Sequence, residues 1–252
     1  MKKIVAALLL ILPVFVLAQE DEKPEPGFNE ATFKGLEMRS VGPALMSGRI
    51  ADIGVDPRDE SHWYVAVCSG NVWETRNAGV TFEPIFDDEG SYSIGCLAID
   101  PTDPNVVWVG TGENNSQRSV SYGDGVYKSL DGGRSWRNMG LAESMHIGEI
   151  IVHPHDGDIV YVAALGHIWG SNPERGLYRT DDGGETWDLV QFVSEGAGFV
   201  DVAIHPENPD ILFASSWERV RGPYYLQSGG PGSALWKSTD GGDHWTRLGG
   251  GL

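Results

Sequence analysis

An eight-residue box, Ser/Thr-x-Asp-x-Gly-x-Thr/Ser-Trp, recurs along this chain at a spacing that admits few folds. It stands at residues 129–136, 180–187 and 238–245, the last with His244 before its Trp. A weaker copy at 75–82 has Asn77 at the Asp position and Phe82 at the Trp position. The central residues Asn77, Asp131, Asp182 and Asp240 lie 54, 51 and 58 apart. A period near fifty residues marks a repeat architecture in which each unit covers its neighbour.

A second marker runs in step with the box. Alternating apolar segments end in Asp-Pro or His-Pro at 53–57, 97–101, 150–154 and 202–206. Period-two alternation is a strand signature, and Pro, which has no N–H to donate, ends it. Two more apolar runs follow in each unit, such as 106–109 and 125–128, and the strand opened by Trp or Phe comes after the box. Four short strands per fifty residues predict an all-β fold, a β-propeller of four-stranded blades. The 34 glycines then belong to turns, because no Gly-x-y period accompanies them. In the box, Asp accepts backbone N–H bonds, Gly supplies positive φ and Trp packs between sheets. Asn77, Asp131, Trp136, Asp182, Trp187, Asp240 and Trp245 are therefore structural.

The segment 38–42 resembles the strands that follow Trp136 and Trp245, so residues 31–252 read as a leading outer strand plus four blades. Four blades with an unmatched leading strand predict part of a larger propeller, with further blades or domains C-terminal to this segment. Upstream, Met1-Lys2-Lys3, an apolar run over 4–17 and Ala18-Gln19 have the form of a secretory signal cleaved after Ala18, with 19–30 a linker. That run is short for a bilayer, which takes roughly 20 residues. Loss of Lys2 and Lys3 moves the net charge from −18 to −20. Such a surface suits neither nucleic acid nor an anionic membrane, since phosphate binding needs clustered Lys and Arg. An exported protein meets an oxidising compartment, where Cys68 and Cys96 form one disulfide or stay two buried thiols.

The boxes and their spacing resemble the Asp-box, or BNR-repeat, propellers. Within them, Gly42-Pro43 with Ser47-Gly48-Arg49-Ile50, the stretch 110–115 and the stretch 165–170 resemble exported bacterial proteins related to the N-terminal propeller of sortilin. The resemblance covers about 31–249. It implies a periplasmic, cell-surface or extracellular protein that binds a peptide, protein or glycan without catalysis or cofactor. Related propellers include sialidases and xyloglucanases, so a glycoside hydrolase is the alternative. The sialidase Arg-Ile-Pro motif is broken here, as Ala51 follows Arg49-Ile50. Where xyloglucanase-type propellers carry a catalytic Asp in the first blade, residues 66–70 contain no carboxylate.

The positions four before each Asp/His-Pro are Asp52, Cys96, Glu149 and Asp201. One register holds one face of a strand, so three carboxylates are expected at the channel mouth, with Arg49 and His146 as companions. They are either a ligand or cation site, or polar residues at strand starts that are solvated or hydrogen-bond neighbouring blades. No spacing typical of metal ligands occurs. Loops joining second to third strands add Glu113, Asn114, Arg118 and Tyr122 in blade 2, and His167, Trp169 and Arg175 in blade 3. Blade 4 adds Trp217, Arg219 and Tyr224. Aromatic faces and Arg on a rigid scaffold suit binding, though such loops also serve simply to cover the end of the fold.

Overall fold

The computed structural model describes Gly35 and residues 48–114 and 120–249. The expected signal, linker and leading strand, and Arg118, lie outside these residues. Blade 1 comprises β1 (Ile50–Val55), β2 (Trp63–Val67), β3 (Asn71–Thr75) and β4 (Glu83–Pro84). Blade 2 comprises β5 (Ile94–Ile99), β6 (Val107–Thr111), β7 (Val126–Ser129) and β8 (Arg137–Asn138). A single 3₁₀ turn (Ala142–Ser144) leads to blade 3, with β9 (Ile147–His153), β10 (Asp156–Ala164), β11 (Gly176–Thr180) and β12 (Asp188–Gln191). Blade 4 comprises β13 (Ala197–Ile204), β14 (Leu212–Arg221), β15 (Leu226–Ser228), β16 (Ala234–Ser238) and β17 (Thr246–Arg247). Each blade is an antiparallel meander in chain order, as a propeller requires; β15 is an added strand on β14. No helix among the described residues is long and apolar enough to cross a membrane.

The inner strands β1, β5, β9 and β13 sit side by side in order. Apolar side chains of adjacent blades fill the wedges between them. Tyr64, Val72 and Phe86 of blade 1 meet Leu97, Val107 and Tyr127 of blade 2. Trp108 and Val126 meet Ile150 and Val162, and Tyr161 and Leu177 meet Phe199 and Leu212. Trp108 is fully buried and crosses Trp187 edge to face, ring centroids 6.2 Å apart.

The boxes have the structural role their chemistry predicts, and they also join the blades. In blade 2, Asp131 Oδ1 accepts the Ser135 N–H (2.9 Å) and the Ser129 hydroxyl (2.8 Å). The Ser135 hydroxyl donates to Oδ2 (2.7 Å), and the Gly133 N–H donates to Ser129 Oγ (2.8 Å). The same set recurs around Asp182 and Asp240. The two box glycines have φ of 72° and 85° in blade 2, a region that L side chains avoid. The first-glycine carbonyl then accepts a side chain from the preceding blade. Tyr64 Oη donates to Gly132 O (3.3 Å), Lys128 Nζ to Gly183 O (2.9 Å) and Tyr161 Oη to Gly241 O (2.7 Å). The box Trp reaches back the other way, with Trp136 Nε1 on Ile85 O and Trp187 Nε1 on Met139 O, whereas Trp245 bonds within its own blade.

Candidate functional site

The expected carboxylates occupy one register for a reason that simple alternation does not supply. Each inner strand has a β-bulge just before the position, at Ala51, Gly95, Gly148 and Val200. An unpaired extra residue bends the strand and shifts which side chains share a face. Past the bulge, Asp52 pairs with Ala66, Cys96 with Gly110, Glu149 with Ala163 and Asp201 with Ser215, all small partners. A side chain at Gly95 would overlap the carbonyl of Ile147, and one at Gly148 would come 2.6 Å from Val200 O. Glycine at these two bulges lets neighbouring inner strands approach closely.

The four equivalent positions differ in what they do. Asp52 accepts its neighbour's Ile53 N–H at 2.7 Å and, across the blade boundary, the Leu97 N–H at 3.0 Å. It therefore ties blade 1 to blade 2. Cys96 is fully buried, and burial, then Glu149 and Asp52, push its thiol well above the ordinary value. Glu149 accepts the Ile150 N–H at 3.2 Å. Burial, then the charge of Asp52 and that of Asp201, push Glu149 up to about 7. Asp201 is exposed. The result is a carboxyl held well above the ordinary carboxylate range by burial and by two neighbouring carboxyl charges. Cys68 and Cys96 are separate buried thiols, and burial raises Cys68 to about 11, so neither has the low pKa of a reactive thiolate.

Arg49 and His146 also make contacts among the loops. Arg49 pairs with buried Glu113, linking blade 1 to the blade 2 loop. His146 lies near Arg219, His167 and Arg175, and burial, with those cationic neighbours, lowers it to about 4. Three loops thus share a buried polar interior. Arg175 is wholly buried and donates to Gly196 O (3.0 Å), to Gly170 O (3.2 Å) and to His167 O. Arg219, also wholly buried, donates to Asn114 O (2.7 Å), and Asn114 donates to Gly148 O (2.7 Å). These residues hold the loops to the inner strands; the sequence carries no signal for such burial, because Arg in a loop looks solvated.

The aromatic residues divide in the same way. Trp217 is half-buried with the Arg219 guanidinium over its ring at 4.6 Å. Trp169 is exposed, with Arg221 over it at 5.5 Å. The blade 4 loop is a β-hairpin of β14 and β15 that carries Tyr224, wholly exposed, and Tyr225 at its tip. Tyr122 is exposed. The sequence carries no signal for Tyr92, which is exposed on the loop between β4 and β5 and lines one cleft with Tyr122. Among the described residues no group of three or more His, Cys, Asp or Glu is arranged to hold a metal ion.

The Sortilin-Vps10 family, described as sortilin, neurotensin receptor 3, matches residues 124–251, half of the chain. A xyloglucanase of Paenibacillus sp is 25% identical over 180 residues, covering 65% of this chain and 17% of that protein. A xyloglucanase of Hypocrea jecorina is 27% identical over 252 residues, covering 86% and 27% respectively. The chain thus spans about a quarter or less of the length of the curated relatives it matches. Among solved structures, an ancestral GH74 enzyme superposes with a TM-score of 0.62 at 17% identity, over 79% of this chain and 25% of that one. The GH74 xyloglucanase from Xanthomonas campestris gives 0.54 at 21% identity, over 79% and 30%. These superpositions establish the propeller fold.

Proposed function

The chain belongs to the Sortilin-Vps10 family, and from that premise we propose that it is an exported glycan-acting propeller. Its loop face binds a β-glucan of the xyloglucan class, and the carboxylates of its inner strands hydrolyse it. The observation that carries this reading is the arc Asp52, Glu149 and Asp201, set by bulges at one register beside loops with exposed aromatic rings. Likeness to xyloglucanases supports the substrate class. Glycoside hydrolysis needs an acid that protonates the leaving oxygen and a second carboxylate that activates water or attacks the sugar. Glu149 is the acid, because burial and the neighbouring carboxylate charges hold it up to about 7. Asp52 is committed to two backbone N–H groups, which leaves exposed Asp201 as the second carboxylate. The cleaved signal over 1–18, the linker over 19–30 and further C-terminal blades belong to the same proposal.

The test is release of reducing ends from xyloglucan by the full chain. Glu149→Gln is expected to lower the rate at least about a hundredfold, the range of one general acid, with binding retained. Wild-type turnover by Glu149→Gln overturns the assignment. Binding without catalysis is the second reading, favoured by the blade 1 turn at Cys68-Ser69-Gly70, which is tight and has no carboxylate. Xyloglucan retained on an affinity gel with no reducing ends released would select it.

A further inference from the structure

We infer that the cleft between Tyr92 and Tyr122 is a subsite for one neutral pyranose ring, separate from the inner-strand carboxylates. This rests on the glycan reading above and locates a contact that the reading does not specify. The cleft has a volume of about 280 Å³, and its lining is Gly90, Ser91, Tyr92, Ser121, Tyr122, Gly123 and Asp124. That is below the usual range of ligand pockets, roughly 300–1,000 Å³, and suits a single ring better than a chain.

Its walls come from two loops that are stitched together before any ligand arrives. Ser93 Oγ donates to Ser121 O (3.0 Å), Ser91 Oγ to Tyr122 O (3.4 Å), and the Gly123 N–H to Met145 O (2.7 Å). On the other wall Asn71, at φ 64°, donates its N–H to Tyr92 O (3.0 Å) and its amide to Asp87 (2.8 Å). Glycine forms the floor because side chains at Gly90 and Gly123 would overlap Asp124 and Thr111. A fixed cleft loses little entropy on binding.

The chemistry selects the ligand. Tyr92 and Tyr122 are 50% and 71% exposed, and their rings offer flat faces to sugar C–H groups. Ser91, Ser121 and the Tyr hydroxyls exchange hydrogen bonds with sugar hydroxyls, and Tyr92 Oη already reaches Ser121 Oγ at 3.3 Å. Asp124 accepts from Tyr127 Oη (2.7 Å) and Thr111 Oγ1 (3.3 Å), so its charge is partly engaged and its remaining lone pairs suit hydroxyl donors. With Asp87, Asp88 and Glu89 on the same loop as Tyr92, the cleft repels uronates, sulfates and phosphates.

The test is titration of the full chain with D-glucose, D-xylose, D-glucuronate and tetramethylammonium, following the Tyr92 and Tyr122 ring signals by NMR. Saturable shifts with a neutral sugar are expected, weakened about tenfold or more by Tyr92→Ala or Tyr122→Ala and kept by Tyr→Phe at either position. Both rings are exposed, so the Ala variants should stay folded, which their melting curves check. Absence of a saturable shift with either neutral sugar overturns the subsite. So does saturation by tetramethylammonium alone, since two Tyr faces and a carboxylate then form a cation cage. Sugar binding here without xyloglucan binding or cleavage would leave the subsite standing and remove the proposed function.

Discussion

At the box end, blades 2, 3 and 4 repeat one set of hydrogen bonds around Asp131, Asp182 and Asp240, with the same acceptor atoms each time. At the loop end the same three blades build different objects: a stretch carrying Tyr122, a turn pinned by Arg175 and a hairpin tipped by Tyr224. Both ends are held by polar side chains, half-buried or exposed aspartates at the box turns and wholly buried arginines at the loops. At the box end the bonds around the aspartate close within the turn itself, and the joint to the preceding blade falls each time on the first-glycine carbonyl. At the loop end the bonds come from distant residues, so the blades depend on one another. Repetition follows from the first arrangement and divergence from the second.

Breaking the two ends should therefore differ in size and in reach. The largest effect is expected from Trp108→Ala, which empties a fully buried indole between blades 2 and 3 and removes its contact with Trp187. A loss of about 3–5 kcal/mol is expected in urea denaturation. At the loop end, Arg175→Ala leaves three carbonyls without their donor. It should cost about 2–4 kcal/mol and expose the 165–175 loop to proteolysis before global unfolding.

Glu149→Gln sharpens the comparison through pH. The folded value, about 7, is above the ordinary 4.5, so the protonated form is favoured in the native state. That contribution is complete below about 4.5 and lost as pH rises through about 7. The variant should match wild type at pH 4 and exceed it at pH 8 by up to about 3 kcal/mol in melting experiments. Asp131 has the opposite sign: the Ser135 hydroxyl bond holds it down to about 2. Its contribution is present above the ordinary 3.8 and lost as pH falls through about 2. Asp131→Asn recreates the Asn77 box of blade 1 and should flatten that acid limb by less than about 1 kcal/mol, as solvent screens an exposed turn. Tyr224→Ala, at a wholly exposed hairpin tip, should leave stability within about 0.5 kcal/mol while glycan affinity falls.

The blades were legible because their signals are periodic. Asp131, Asp182 and Asp240 recur at nearly constant spacing, and Pro57, Pro101, Pro154 and Pro206 mark the inner strands. The positions of Asp52, Glu149 and Asp201 followed from that frame. The bulges at Ala51, Gly95, Gly148 and Val200 did not, since two of the four residues are ordinary apolar ones. Arg175 and Arg219 stayed hidden because their partners are main-chain carbonyls, which sequence does not label. Buried His62, held between Asp56 at 3.2 Å and Glu74 at 2.7 Å, was invisible for a related reason: its two partners lie on different strand ends.

The carbonyls of Gly132, Gly183 and Gly241 accept their bonds from the blade before, and blades 2 and 3 each also present a donor, Lys128 or Tyr161, to the blade after. A gene segment encoding one such unit therefore carries both halves of the joint. Tandem duplication of it adds a module that already fits its neighbours, with no interface to be invented. Growth of the array by copying is thus cheap at the box end, and the loops are left free to drift toward new ligands.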